Sequence, residues 1–327
     1  MIKRILYTLL IMFPVVASAQ INTDRVMAIG RNALYFEDYV LSIQYFNQVI
    51  NAKPYLSDPY FYRGLAKINL DDFQGAESDC SEAIERNPFV VSAYQVRGLA
   101  RIQQNNFAGA IEDYTKALEF DPENIGVWHN MALCRIRQED YKGAKNDLDK
   151  LIAISPRYTK AYLMRGEVDL KQKDTLAAEK DFGKAIEIDR YDADTWASRA
   201  ILRLQQQRYK DAEADFDHAI RLSTRNSGVY INRALARYHQ NNLRGAMSDY
   251  DIALDIDPNN FIGHYNRGLL RAQVGDDNRA IQDFNFVIEM EPDNMMAIFN
   301  RGLLLDQTGD YKGAIKDYST VINEYPN

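Results

Sequence analysis

Apolar side chains return along this chain at intervals of three and four, in paired runs parted by short polar breaks. In the stretch 91–124 the first run is Tyr94, Leu99, Ala100 and Ile102, and the second is Phe107, Ala110, Ile111, Tyr114, Ala117 and Leu118. That spacing predicts two amphipathic helices. Gln104-Asn105-Asn106 separates them, and Asn241-Asn242, Gly275-Asp276-Asp277 and Gly309-Asp310 make the equivalent breaks elsewhere. Glycine and asparagine accept the left-handed backbone that ends a helix. Pro122 then stops the second helix, because proline has no N–H to donate. Each such stretch reads as a helix–turn–helix hairpin.

The hairpin repeats every 34 residues. Proline closes it at Pro54, Pro88, Pro122, Pro156, Pro258, Pro292 and Pro326, with Arg190 and Thr224 on the two missing beats. A small residue recurs in the middle of the first helix, from Gly30 and Gly64 through Ala132 and Ala200 to Gly302. Alanine recurs early in the second, from Ala76 to Ala314, with Ser42 in the first copy. Small residues at these places let the two backbones approach, and the aromatics equivalent to Tyr94, Phe107 and Tyr114 fill the space around the contact. Glutamate at Ala246 is therefore expected to be severely destabilising. One hairpin cannot bury its own apolar face, so neighbours must cover it. The expectation is an all-α chain, with one stacked unit over 20–327 rather than two globular domains. Its copies would span 23–56, 57–90, 91–124, 125–158, 159–192, 193–226, 227–260, 261–294 and 295–327.

Period and pattern together (aromatic, small residue, alanine, Phe or Tyr, alanine, proline) resemble the tetratricopeptide repeat, over essentially the whole chain from Thr23. The resemblance implies a right-handed superhelical solenoid whose first helices line a concave surface. It also implies a scaffold that binds proteins or peptides rather than a catalyst. The copies from 125–158 to 193–226 depart most: Leu148 replaces the aromatic, Leu151 the late alanine and Thr175 the turn aromatic. A less regular or softer stack is expected there. No polar helix follows the last copy, and solenoids need a polar end. Its outer face is expected to be polar itself, or to meet a partner or a second copy of the chain.

Composition adds a compartment. Lys3 and Arg4, an apolar run from Ile5 to Val16, and Ala17-Ser18-Ala19 read as a secretory signal over 1–19, with Gln20 as the new N-terminus. Export to the periplasm of a bacterial cell envelope, or secretion, is expected, and no later run is apolar for long enough to span a bilayer. Loss of Lys3 and Arg4 takes the formal net charge from −7 to −9. An acidic chain argues against a nucleic-acid footprint and favours basic or neutral partners. Cys80 and Cys134 fall two copies apart, too far for a disulfide, and read as small buried hydrophobes.

Three rows of polar residues carry candidate function. Arginine recurs as Arg63, Arg97, Arg165, Arg199, Arg233, Arg267 and Arg301, with Met131 as the exception, and aspartate as Asp79, Asp113, Asp147, Asp181, Asp215, Asp249, Asp283 and Asp317. The arginines either pair with these aspartates or form a track for an anionic ligand; equal numbers at a fixed offset favour pairing. One residue before the arginines stand Asn130, Asn232, Asn266 and Asn300. The resemblance places this position on the concave surface, as in the asparagine ladders that grip a peptide backbone, an amide being both donor and acceptor. The alternative is that asparagine is simply a common residue at this position of the family. Three amide contacts at ~0.5–1.5 kcal/mol each fall short of the ~8 kcal/mol of micromolar binding. Ile231, Tyr265 and Phe299, which precede three of these asparagines, are expected to supply apolar contact, extended by Ile262 and Met296.

Other chemistry is expected to be absent. The carboxylate clamp of chaperone-binding relatives needs Lys and Asn where this chain has residues such as Phe61, His129 and Leu133. His129, His218, His239 and His264 have no zinc-ligand spacing. With no nucleophile elbow or phosphate-binding loop in sight, no catalytic residue, metal or cofactor is expected. Two further readings stay open beside a peptide-binding groove. One is an assembly subunit that uses its C-terminal end and convex side. The other is a carbohydrate or cell-wall binder with Tyr265 and Phe299 in the open.

Overall fold

Every break read from the apolar pattern is a helix turn in the computed structural model, which describes residues 22–325. The expected signal, 1–19, and Pro326 lie outside them. Eighteen α-helices and no strand are present among the described residues. Each turn inside a hairpin holds one residue at positive φ, always at the same place in the period: Asn105, Asn241, Gly275 and Gly309, but also Glu37, Asp71, Glu139, Lys173 and Gln207. The hairpin thus imposes a left-handed conformation on residues that do not favour it. One residue later, at most of these turns, an Asp or Asn side chain caps the second helix; Asp72, Asn106, Asn242 and Asp310 each accept from the backbone N–H three residues on, whereas Arg208 and Asp276 make no such bond.

The chain divides into two compact units, one up to Gly143 and one from Ala144. The first holds α1 (Thr23–Tyr35), α2 (Tyr39–Ala52), α3 (Asp58–Ile68), α4 (Phe73–Arg86), α5 (Val91–Gln103), α6 (Phe107–Phe120) and α7 (Ile125–Arg137). The division falls inside α8 (Tyr141–Ile154). The second holds α9 (Thr159–Lys171), α10 (Thr175–Ile188), α11 (Ala193–Gln205), α12 (Tyr209–Leu222), α13 (Ser227–His239), α14 (Leu243–Ile256), α15 (Phe261–Gln273), α16 (Asp277–Met290), α17 (Met295–Gln307) and α18 (Tyr311–Glu324).

Packing within each unit follows the small–large alternation. Ala76, Ala110, Ala212, Ala246 and Ala280 are fully buried. At Gly166 an added Cβ would sit 2.6 Å from the Phe182 ring, so glycine there is a matter of space. Each first helix covers the preceding second helix through two small or apolar residues: Ala297 and Leu304 of α17 lie against Phe284 and Val287 of α16. The aromatic near the start of the first helix reaches back to a backbone carbonyl six residues earlier. Tyr60 donates to Pro54 O at 3.2 Å, Trp128 to Pro122 O at 2.8 Å, Tyr162 to Pro156 O at 3.1 Å and Trp196 to Arg190 O at 3.0 Å. Cys80 and Cys134 are free and buried, as expected. Burial, reinforced by Asp79 at Cys80, pushes their thiols up to about 12 and about 11.

Candidate protein-binding face

A charged layer sets the first helices in place. Arg233 grips Asp249 of its own hairpin with Nε at 3.0 Å and Nη2 at 2.6 Å, and its Nη1 donates to Asp217 of the hairpin before at 2.7 Å. Arg267 does the same with Asp283 and Asp251, and Arg301 with Asp317 and Asn285. Burial opposes the charge of Arg233 and Arg267, but Asp249 and Asp283 outweigh it and hold both guanidinium groups above their ordinary pKa. Asp249 and Asp283 are themselves almost fully buried. Of the two readings of the arginine row, pairing is therefore the one realised.

A second row escaped the sequence reading. Four residues after the first, Arg101, Arg203 and Arg237 reach the preceding hairpin at Glu77, Glu179 and Glu213, at 2.8, 3.0 and 2.7 Å. In α9 the polarity is reversed: Asp169 stands in the arginine's place and Lys145 in the glutamate's, joined at 2.5 Å. The signal, a cation recurring one helical turn after another, was present in the sequence.

On the side of α13, α15 and α17 away from this layer stand the candidate binding residues of the second unit. Asn232, Asn266 and Asn300 are half-buried on successive first helices. Asn232 and Asn266 make no side-chain hydrogen bond among the described residues. Asn300 Nδ2 donates to Met296 O at 2.8 Å and to the Tyr265 hydroxyl at 3.2 Å, which leaves its carbonyl oxygen as the group on offer. Asn130 belongs to the first unit, where it neighbours the Tyr114 hydroxyl, whose pKa burial raises.

The apolar companions divide. Ile231 is 7% exposed and belongs to the core with Tyr230, Ala234 and Tyr250, so it has little surface to offer a ligand. Its place beside the glycine of the next first helix explains this: Ile231 Cδ1 lies 3.4 Å from the Cβ position of Gly263. Tyr265 is half-buried, edge-on to Phe284, and burial raises its hydroxyl pKa while the bond from Asn300 opposes the rise. Phe299 is exposed beside Tyr318. Ile262 and Met296 are exposed as well, 67% at Met296, and Leu269 and Leu303 add exposed surface on the same two helices. These two leucines were not singled out in the sequence, though each stands four residues after its tyrosine or phenylalanine and on the same helical face.

The histidines have aromatic neighbours. His218 stacks on Trp196 at 4.2 Å, His239 on Tyr209 at 4.6 Å, and His264 on Phe286 at 4.1 Å. Among the described residues no helix is long and apolar enough to cross a membrane.

Comparison with known proteins matches these features. Family models described as tetratricopeptide repeat match residues 125–158, 159–192, 198–261 and 265–327, and one described as TPR repeat matches 98–134. None of the curated proteins compared matches the chain. Among solved structures, a tetratricopeptide repeat protein from Parabacteroides merdae is 21% identical with a TM-score of 0.58, over 76% of this chain and 98% of its own. The C-terminal part of a TPR repeat-containing protein from Cytophaga hutchinsonii is 18% identical with a TM-score of 0.58, over 70% and 95%. The APC/C hetero-tetramer Cut9–Hcn1 is 13% identical with a TM-score of 0.58, over 89% of this chain and 57% of its own.

Proposed function

Because this chain belongs to the tetratricopeptide repeat family, a family of scaffolds, we propose that it is a non-enzymatic binding protein that holds an extended protein segment across α13, α15 and α17. The observation that carries this is the pair of half-buried amides, Asn232 and Asn266, without a partner among the described residues and set beside exposed Ile262, Leu269, Met296, Phe299 and Leu303. Their amides are open to solvent, and a peptide backbone offers both an acceptor and a donor in place of water. The apolar row supplies the larger share, since a fully buried Leu, Met or Phe contributes about 1.5–3 kcal/mol. A carbohydrate platform is less well supported, because Tyr265 is packed against Phe284 and hydrogen-bonded by Asn300. The pattern of residues 1–19 supports export, and the partner is then a protein of the cell envelope, neutral or basic in view of the net charge of −7.

The test is capture from an envelope extract on the immobilised chain, beside a variant with Asn232, Asn266 and Asn300 all changed to Ala and equal in helical content by circular dichroism. A partner retained by the first and lost by the second supports the assignment. A partner held equally by both removes it from this face.

A further inference from the structure

The junction of α14 with α15 lacks a polar clamp that other junctions have, and a groove stands in its place. At α12–α13, Glu213 accepts from Arg237 Nε at 2.7 Å and from Gln240 Nε2 at 2.7 Å, and that amide also reaches Tyr209 O at 3.4 Å. At α4–α5, Glu77 takes Arg101 at 2.8 Å and Gln104 at 2.9 Å in the same way. One period after Tyr209, Glu213 and Gln240 stand Leu243, Met247 and Val274. Arg271 keeps Asp283 at 2.7 Å and nears Asp251 at 3.9 Å, as Arg237 does with Asp249 and Asp217, but methionine stands where Arg237 has its glutamate.

The exchange leaves a groove of about 540 Å³ along α14, with Leu243, Met247, Ile252 and Val274 as its apolar lining. Val274 is 52% exposed and Ile252 37%. Described hairpins precede and follow it within the second unit, so the groove belongs to a junction and not to an end of the stack. Arg244 and Asp255 line it too; both are exposed, and neither makes an ion pair among the described residues. They stand eleven residues apart on α14, roughly 16 Å along its axis. Asp251 adds a second carboxylate toward the Asp255 end. An occupant must therefore set an acidic group near Arg244 and a basic one near Asp255, with apolar side chains between them. In a helix parallel to α14 those charges fall in the first and last turns, where the helix dipole favours them. Methionine in the lining adapts its shape to the aliphatic side chains it meets.

The geometry points to this groove as the docking site for one amphipathic helix of a partner protein, aliphatic along one face, acidic in its first turn and basic in its last, lying parallel to α14. The groove shares no residue with the face proposed for the extended segment.

Fluorescence anisotropy on the whole chain tests it with two hydrocarbon-stapled helical peptides of one composition. Both carry leucines along one face; the first has glutamate in its first turn and lysine in its last, and the second has these charges exchanged. The first should bind saturably and several-fold more tightly than the second. Met247→Glu with Val274→Gln rebuilds the clamp of Glu213 and Gln240, a pairing this chain already uses, so the helical circular-dichroism signal and the unfolding midpoint should hold. Binding of the first peptide should nevertheless fall at least about tenfold, or about 1.4 kcal/mol. Arg244→Glu with Asp255→Lys should invert the preference between the two peptides. The variant lacking Asn232, Asn266 and Asn300 should bind the first peptide like the parent; loss of binding there would place the peptide on the other face and overturn the assignment. Absence of saturable binding, equal binding of the two peptides or indifference to the rebuilt clamp overturns it as well. So does a dimer in light scattering that the rebuilt clamp dissociates, since a second copy would then own the groove.

Discussion

Gly183 is the one described residue that interrupts the bridging arginines of the second unit. It holds the position of Asp149, Asp217, Asp251 and Asn285, each of which accepts from the arginine sixteen residues on. Arg199 still grips Asp215, but its Nη1 points at a glycine whose added Cβ would lie 4.0 Å away. Gly183→Asp should therefore fit without displacement, restore the bridge and remove a mid-helix glycine. An increase of about 1 kcal/mol in unfolding free energy is expected, in two comparable parts, read from urea melts with Arg199→Ala as the background in which the bridging part vanishes. At this scale the sequence was legible where one residue type met one geometric demand. The buried alanines and the Arg–Asp pairs follow from size and from matched charge. Left-handed Glu139, Lys173 and Gln207 were not legible, because the constraint comes from the closed hairpin around them rather than from their own preference. Nor was the burial of Ile231, which depends on the glycine at Gly263 in the next repeat.

Neighbouring helices recognise each other by charge as well as by shape. The junction of α8 with α9 uses Lys145 and Asp169, and those of α10 with α11 and α12 with α13 use Glu179–Arg203 and Glu213–Arg237. Asp169 is nearly fully buried, so removing its partner leaves a buried charge, at a cost of about 3–5 kcal/mol. Lys145→Glu should lower the unfolding midpoint sharply, and Asp169→Arg should do so too. The two together rebuild the pair found at the other junctions and should recover most of the loss; a double variant no better than the sum of the singles would show that the pair is not coupled. The turns inside the hairpins were legible because the polar breaks that mark them recur with the period. The pairing across junctions was not, since it requires knowing which faces meet.

Across the molecule, stability belongs to stacks of hairpins, so damage should spread only as far as the contacts that transmit it. Ala246 is fully buried in the second unit. Ala246→Glu overfills that site and buries a charge, and a loss above about 4 kcal/mol is expected. Limited proteolysis should then degrade residues beyond 144 first, while fragments of the first unit persist; uniform digestion would mean that the two units unfold as one. The outward reach of the aromatics toward the preceding carbonyl has a different consequence, for how such an array drifts through evolution. At several links a ring ties the next helix to the residue that closes the hairpin before it, and at Pro54, Pro122 and Pro156 that residue is also the proline that ends the helix. At Arg190 the proline has been lost, and Trp196 still holds that carbonyl at 3.0 Å. A joint with two independent catches can keep its geometry when one of them is absent, as the joint at Arg190 does.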